Sequence, residues 1–412
     1  MKRVLFISLS YPNFSSSASV LCTKRLIDCM AKSSEFEVHC LCTKLSDEGN
    51  EEIIDNVMVH RINKTIFKKI IDSCYKYSMI QDTLIKIQKI LTFPLFPCRD
   101  PFMLRRYKQK AKNLYKKHQY DIVIAEHHGY NTLMTGYILK QLFPSIKFYP
   151  VLWDPILGQT KPNFLPERFV DIRIEDCENK INYSADKIFS IKAAQGIYSH
   201  NNMDSAKDKR IYFDIPGILP PEPEVSTKYL SLIKTGYINI TYSGLLGKPS
   251  RDPEYIIDIL NKTSFVKKVN IIFLSKGLSD KEKNNLKQKF KGNIMFHHYI
   301  PITELHTLYK HSDYLLNISH SNANMTPSKI FEYMSYGKPI ISTFITENDA
   351  AKQYLDLYPE AIVIDQNTNK LDNIKKLEKF MSQTHEFVEF KKVKTLFPLN
   401  TPDTFVKIIT NL

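Results

Sequence analysis

The chain has no uncharged apolar run of about 18 residues, the length that a membrane-spanning helix requires, so no spanning helix is expected. Its seven cysteines (Cys22, Cys29, Cys40, Cys42, Cys74, Cys98 and Cys177) are odd in number and form no paired C-x-x-C sets. That spacing argues against a zinc module and a disulfide framework, and it fits a reducing cytoplasm. Met1 to Ser8 lacks the length and the small-residue cleavage site of a signal peptide and reads as a first strand. No G-x-G-x-x-G follows that strand, which excludes the dinucleotide fingerprint. No helix-turn-helix, zinc or aromatic RNA-binding signature accompanies the positive charge, so no nucleic-acid partner is expected.

What is present is a chain of 412 residues, 43% hydrophobic, with a net charge of +14. This length exceeds one ordinary core and predicts two domains. Short apolar runs ending in polar loops alternate with helical periodicity along both halves, the pattern of two doubly wound α/β sheets. Strands are expected at Val4 to Leu9, Val38 to Cys42, Val57 to Ile62, Tyr120 to Glu126, Lys147 to Leu152 and Lys187 to Ile191, the last of the first half. Asp47 to Asp55 reads as an acidic loop. The densest proline cluster lies in 214–236, which reads as the linker. The expected division is therefore 1–213, linker 214–236, 237–395, and a terminal segment 396–412.

Charge is concentrated in residues 61–118, where fifteen Lys and Arg face three Asp, a balance of +12. Ile66, Ile70, Met79, Ile80, Ile87 and Leu91 are interleaved with those cations. Helical apolar spacing with lysines on the other face predicts an amphipathic surface helix that docks on an anionic membrane. An ordinary helix pair with a solvated basic face is the alternative.

Polar residues cluster where the strands end. Ser10 to Ser19 is a loop beyond the first strand, either a plain polar loop or one that receives a substrate. His127 and His128 follow Glu126, and spacing does not separate them. Asp154 follows the single tryptophan, Trp153, and could instead cap the following turn. In the second half, the strand Ile238 to Gly244 leads into a loop carrying Gly244, Gly247, Lys248 and Arg251. Glycine permits close backbone approach, and Lys and Arg can neutralise a diphosphate. Pro327 and Ser328 open a helix whose apolar face is Ile330, Phe331 and Met334, and Gly337 and Pro339 end it. Ser328 and Lys329 would lie at its positive end, which attracts phosphate, with Glu332 about one turn along. The plain alternative is a capped surface helix with a solvated Glu332. Ser342 to Glu347 reads as a nearby loop.

The run Pro-Ser-Lys-Ile-Phe-Glu-Tyr-Met-Ser-Tyr-Gly-Lys-Pro-Ile-Ile from Pro327 resembles the donor-binding helix of GT-B glycosyltransferases close to glycosyltransferase family 4. The loop of Gly244 to Pro253, with Arg251-Asp252-Pro253, resembles that family's glycine loop. The resemblance implies two Rossmann-like domains facing each other across a cleft, with the terminal segment 396–412, its tail from Pro402 to Leu412, as a helix that returns to the first domain. It implies that the helix N-terminus, Pro327, Ser328 and Lys329, faces a nucleotide diphosphate and that Glu332 holds the ribose. Arg251 and Lys248 would meet the diphosphate, and His298 and Tyr299 the base. His127 or His128 would lie near the transferred sugar and Asp154 near the acceptor. Where many members have a first acidic residue eight positions before the last, in an E-x7-E pair, this chain has Asn324, and where many have Arg directly after the first Gly it has Leu245.

The expected function is retaining transfer of a sugar, from a UDP-linked or related donor, to a lipid-linked or saccharide acceptor in cell-surface polysaccharide synthesis. No cofactor or metal is expected, and no D-x-D metal motif occurs. The expected place is the cytoplasmic face of the membrane, held peripherally by 61–118. Rival readings are a sugar-nucleotide epimerase of the same fold and a basic binding protein with a decayed nucleotide site.

Overall fold

The structure is a computed structural model that describes all residues except 13–17, 46–47, 75–76, 128, 155, 157–164, 193–194, 201–205, 225, 249–250 and 321–326. The chain divides into two compact units, Met1–Ile215 with Pro402–Leu412, and Pro216–Thr401.

Unit 1 is built on an eight-stranded sheet of β1 (Lys2–Ile7), β2 (Phe36–Thr43), β3 (Glu51–Ile54), β4 (Val57–Ile62), β5 (Ile122–Glu126), β6 (Lys147–Leu152), β7 (Ile188–Ile191) and β8 (Arg210–Phe213). Its order is β3-β4-β2-β1-β5-β6-β7-β8, parallel except for β3, which runs antiparallel to β4. The alternation of a strand divides β1 between two cores: Val4 and Phe6 enter one, Leu5 and Ile7 the other. Both faces are thus buried, and the helices α1 (Ala18–Ala31), α2 (Ile66–Ser73), α3 (Ser78–Leu91), α4 (Pro101–His118), α5 (Tyr130–Leu142), α6 (Glu167–Ser184) and α7 (Gln195–His200) accompany the sheet. β3 corrects the expected acidic loop. Glu51 and Glu52 do not prevent pairing, because β3 is an edge strand and each carboxylate finds a cation, Lys110 for Glu51 and Arg61 for Glu52. β8 likewise extends the sheet beyond the expected last strand.

The basic segment folds as α2, α3, a turn at Phe93–Leu95 and α4. Its parts behave differently. α4 starts on Asp100, whose side chain accepts from the Met103 amide, and buries Met103, Tyr107, Ala111, Leu114 and Tyr115 against the sheet. α2 buries Ile71 alone, and no described residue of α3 is buried. Met79 is 83% exposed and Leu91 72%, with Ile66, Ile80, Ile90 and Phe102 also out in solvent. Not every cation is on the surface: Arg61 is buried between Glu48 and Glu52, and Lys64 and Lys68 share Asp72. No helix among the described residues is long and apolar enough to cross a membrane.

Unit 2 holds β9 (Ile238–Leu245), β10 (Val269–Lys276), β11 (Asn293–His297), β12 (Tyr314–Ile318), β13 (Ile340–Phe344) and β14 (Ala361–Asp365), all parallel, in the order β11-β10-β9-β12-β13-β14. The helices are α8 (Glu254–Leu260), α9 (Asp280–Lys289), α10 (Ile302–His311), α11 (Lys329–Ser335), α12 (Lys352–Leu355), α13 (Lys370–Ser382) and α14 (Phe390–Leu396). Ser342 to Phe344 belongs to β13 and not to a loop, and β14 is a strand that the sequence reading lacked. Residues 216–236 fall within unit 2. The expected returning helix is present from Pro402, while 396–401 lies outside it. α14 ends at Leu396, and α15 (Pro402–Thr410) joins unit 1, where Phe405, Val406 and Ile409 enter the core beside α1.

Candidate functional site

In unit 2 the sheet order changes direction between β9 and β12. The connections on either side diverge there, which opens a crevice beyond the strand carboxyl ends. The loop after β9 and the start of α11 both lie at that switch point. Gly247 and Arg251 exchange two backbone hydrogen bonds, each 2.9 Å, which fixes where the Arg251 side chain starts. Gly277, just after β10, has φ +107°, and a Cβ there would sit 2.0 Å from the Leu246 carbonyl oxygen, so only glycine lets the two loops meet.

Arg251 has no carboxylate partner among the described residues. Its charge is felt instead by three aromatic neighbours. Burial pushes the Tyr242 and Tyr299 hydroxyls up, and Arg251 opposes both shifts. His320 is lowered by burial and then by Arg251. Lys248, three positions earlier, differs: Asp252 at 3.3 Å and Glu254 at 3.1 Å share its ammonium and raise its pKa. Lys276, the last residue of β10, stands 5.0 Å from the Tyr299 ring centre, a cation that the sequence did not single out. His298 is exposed and Tyr299 partly so.

α11 begins after Pro327, which is buried, and Ser328 makes no side-chain cap bond, so the expected cap by Ser328 is absent. Gly337 at φ +64° ends the helix as expected. The Tyr333 hydroxyl accepts from the Ser243 amide at 3.0 Å, tying α11 to the end of β9. Glu332 is not a solvated surface residue. It is 4% exposed, Lys329 Nζ lies 2.9 and 3.0 Å from its two oxygens, and His306 Nε2 is 3.4 Å away. A carboxylate so buried costs free energy unless it is paired, which explains Lys329 one turn back. Asn324 lies outside the described residues.

In unit 1 the switch point lies between β1 and β5. Glu126, the last residue of β5, is 2% exposed and accepts from Ser8 Oγ at 2.6 Å, from the Leu9 amide at 2.6 Å and from Thr23 Oγ1. Trp153 Nε1 donates to Thr23 Oγ1 at 2.8 Å, so the tryptophan joins this network from inside the core. The sequence reading missed Glu126, which ended an apolar strand and looked like its polar terminus. His127 follows: its amide donates to Val151 O at 2.7 Å, and Nδ1 lies 3.1 Å from Asp154 O. A carbonyl only accepts, so Nδ1 carries the proton in that bond. The Asp154 backbone therefore orients His127, while its carboxylate is exposed. His128, and most of the loop Ser10 to Ser19, lie outside the described residues.

No protein-family model and no curated protein sequence matches the chain. Solved structures match over nearly its whole length. A trehalose-6-phosphate structure from E. coli bound with UDP-2-fluoro glucose aligns at TM-score 0.63 and 10% identity, covering 100% of this chain and 98% of that one. A UDP-GlcNAc 2-epimerase from Methanocaldococcus jannaschii aligns at 0.56 and 12%, covering 100% of both. The lipopolysaccharide outer core galactosyltransferase WaaB aligns at 0.55 and 13%, covering 99% and 98%. At such identities the likeness establishes the fold, the Rossmann-like α/β architecture of GT-B proteins.

Proposed function

We propose that the chain is a retaining, metal-independent glycosyltransferase of the family 4 type. It moves a hexose-type sugar from a nucleotide diphosphate sugar, UDP-linked or related, to a lipid-linked or saccharide acceptor in surface-polysaccharide synthesis. The observation that carries this reading is Arg251, fixed by Gly247 at the switch point of unit 2 without a carboxylate partner. When the bond between the anomeric carbon and the diphosphate breaks, negative charge grows on the leaving oxygens. A preplaced guanidinium stabilises that charge where water would have to reorganise. Lys329 and Glu332 extend the site along α11, where a ribose diol would share Glu332 with Lys329. Tyr299, over Lys276, offers a face for the base. In unit 1, His127 and Asp154 would serve the sugar and the acceptor.

The neighbours bound to a UDP sugar, or named as acting on one, support a nucleotide sugar as donor. They include an epimerase, so the fold does not discriminate transfer from epimerisation. The experiment is incubation of the pure protein with a panel of nucleotide sugars, with and without a lipid-linked saccharide and without added Mg²⁺. Release of nucleoside diphosphate that depends on the acceptor, with the anomeric configuration kept in the product, is expected. Donor turnover into an epimer with no acceptor present would replace the transferase with the epimerase. Binding of no nucleotide at all would leave a basic binding protein.

The reading includes docking of α2 and α3 on anionic membrane at the cytoplasmic face. Its support is the row of exposed Ile66, Met79, Ile80, Ile90 and Leu91 among lysines. An exposed apolar patch of this kind marks an interaction surface.

A further inference from the structure

Three histidines far apart in the chain meet on the face of the unit 1 sheet that α4 covers. His39 lies in β2, His60 in β4, and His118 ends α4. The rings of His39 and His60 are 5.2 Å apart, and that of His118 is 4.6 and 5.8 Å from them. One nitrogen from each falls within 4.8 Å of the other two. His39 and His60 are buried and His118 is half-buried.

The hydrogen-bond pattern around these rings leaves their inner nitrogens poorly matched. His39 Nε2 lies 3.2 Å from Glu37 Oε1, and His60 Nδ1 lies 3.2 Å from Glu51 Oε1. Arg3 holds Glu37 at 2.9 Å and Lys110 holds Glu51 at 2.7 Å. A carboxylate so held only accepts, so each outer nitrogen carries its ring's proton. The inner nitrogens, His39 Nδ1 and His60 Nε2, then present lone pairs to each other at 3.1 Å. Tyr120 Oη, 2.8 Å from His39 Nδ1, can donate to one of them. The other is unmatched, and His118 Nε2 has no hydrogen-bond partner among the described residues.

We propose that His39, His60 and His118 bind a borderline transition-metal dication, Zn²⁺ being the type that fits, and that this ion pins the end of α4 to the sheet. Imidazole nitrogens are common Zn²⁺ ligands, at about 2.0–2.1 Å in tetrahedral geometry, which sets ligand atoms about 3.4 Å apart. The 3.1 Å pair already has nearly that spacing, and His118 closes by roughly an ångström. Tyr120 or a water takes the fourth position. Glu37 and Glu51 stand where a ligating histidine's outer N–H finds its carboxylate, orienting the ring and raising its basicity. The ligands are separated by 21 and 58 residues, a spacing no sequence motif covers. The ion's role is structural, because the site uses neither Arg251 nor His127.

The test is calorimetry with ZnCl2 on tag-free full-length protein that has been treated with a chelator and desalted. One ion per chain and a rise in melting temperature are expected. His118→Ala removes a ligand that makes no side-chain hydrogen bond, and it should weaken Zn²⁺ binding at least tenfold while circular dichroism is unchanged. Glu51→Gln keeps all three ligands and should cost about 10- to 100-fold. Co²⁺ gives a second reading: visible absorption of a four-coordinate site in the wild type, absent from His118→Ala. No saturable Zn²⁺ binding by the folded wild type, or the same affinity and Co²⁺ spectrum in His118→Ala, overturns the proposal. Donor binding in unit 2 stands or falls separately from either result.

Discussion

Arg251 and Lys248 share one loop and one sign of charge, yet the structure gives them different surroundings. Lys248 is neutralised by Asp252 and Glu254, whereas Arg251 keeps its charge among Tyr242, Tyr299 and His320. Arg251→Ala should therefore lower turnover about 100-fold or more. Lys248→Ala should change it far less, and steady-state kinetics with one donor ranks the two. Equal losses would place the diphosphate elsewhere in the loop. Glu332→Ala should weaken donor binding by about 1.5–3 kcal/mol, the range for a charged acceptor of hydroxyl bonds. A deoxyribose donor should then lose little more affinity in the variant, and additive losses in calorimetry would separate Glu332 from the ribose. Gly277→Ala tests the backbone: at φ +107° and against Leu246 it should destabilise by about 1–3 kcal/mol in urea melts. At this scale the sequence was legible where residue type alone decides, as at Gly337, whose positive φ ends α11. It was silent on Glu126 and on the burial of Glu332. Burial of a carboxylate depends on partners brought from elsewhere: Thr23 and Ser8 for one, His306 for the other.

Among the elements, α2 and α3 stand out because their apolar side chains face away from the core. α4, of similar charge, spends its apolar stripe on the sheet. Met79→Ser with Leu91→Ser should therefore reduce binding to anionic vesicles without lowering the melting temperature, since neither side chain is buried. Lys69→Gln with Lys86→Gln should do the same through charge, at about 1 kcal/mol per cation near the surface. Added salt should weaken the wild type, because attraction is screened over roughly 8–10 Å at physiological ionic strength. Wild-type protein that binds neutral vesicles equally well, or none at all, would contradict the docking. The central strands were legible because double burial makes them short apolar runs, as in Val4 to Ile7 and Ile122 to Ala125. β3 and β8 were missed because each is an outermost strand of only four residues with charge in it, whereas β14, also outermost, is an apolar run of five that the sequence reading passed over.

At the scale of the molecule, the chain consists of two Rossmann-like units, each with polar residues at the switch point of its sheet. That much follows from alternating strands and helices, and the sequence carries it. The return of α15 to unit 1 rests on Phe405, Val406 and Ile409, whose spacing marks an apolar face without naming the surface it covers. The central claim is that unit 2 takes a nucleotide diphosphate sugar with Arg251 at the diphosphate. Calorimetric titration of wild type and Arg251→Ala with UDP, the other nucleoside diphosphates and the matching monophosphates tests it most directly. The account predicts one-to-one binding of a nucleoside diphosphate by the wild type, with most of its advantage over the monophosphate lost in Arg251→Ala. An unchanged preference for the diphosphate in the variant, or binding of no nucleotide by the folded wild type, would contradict it.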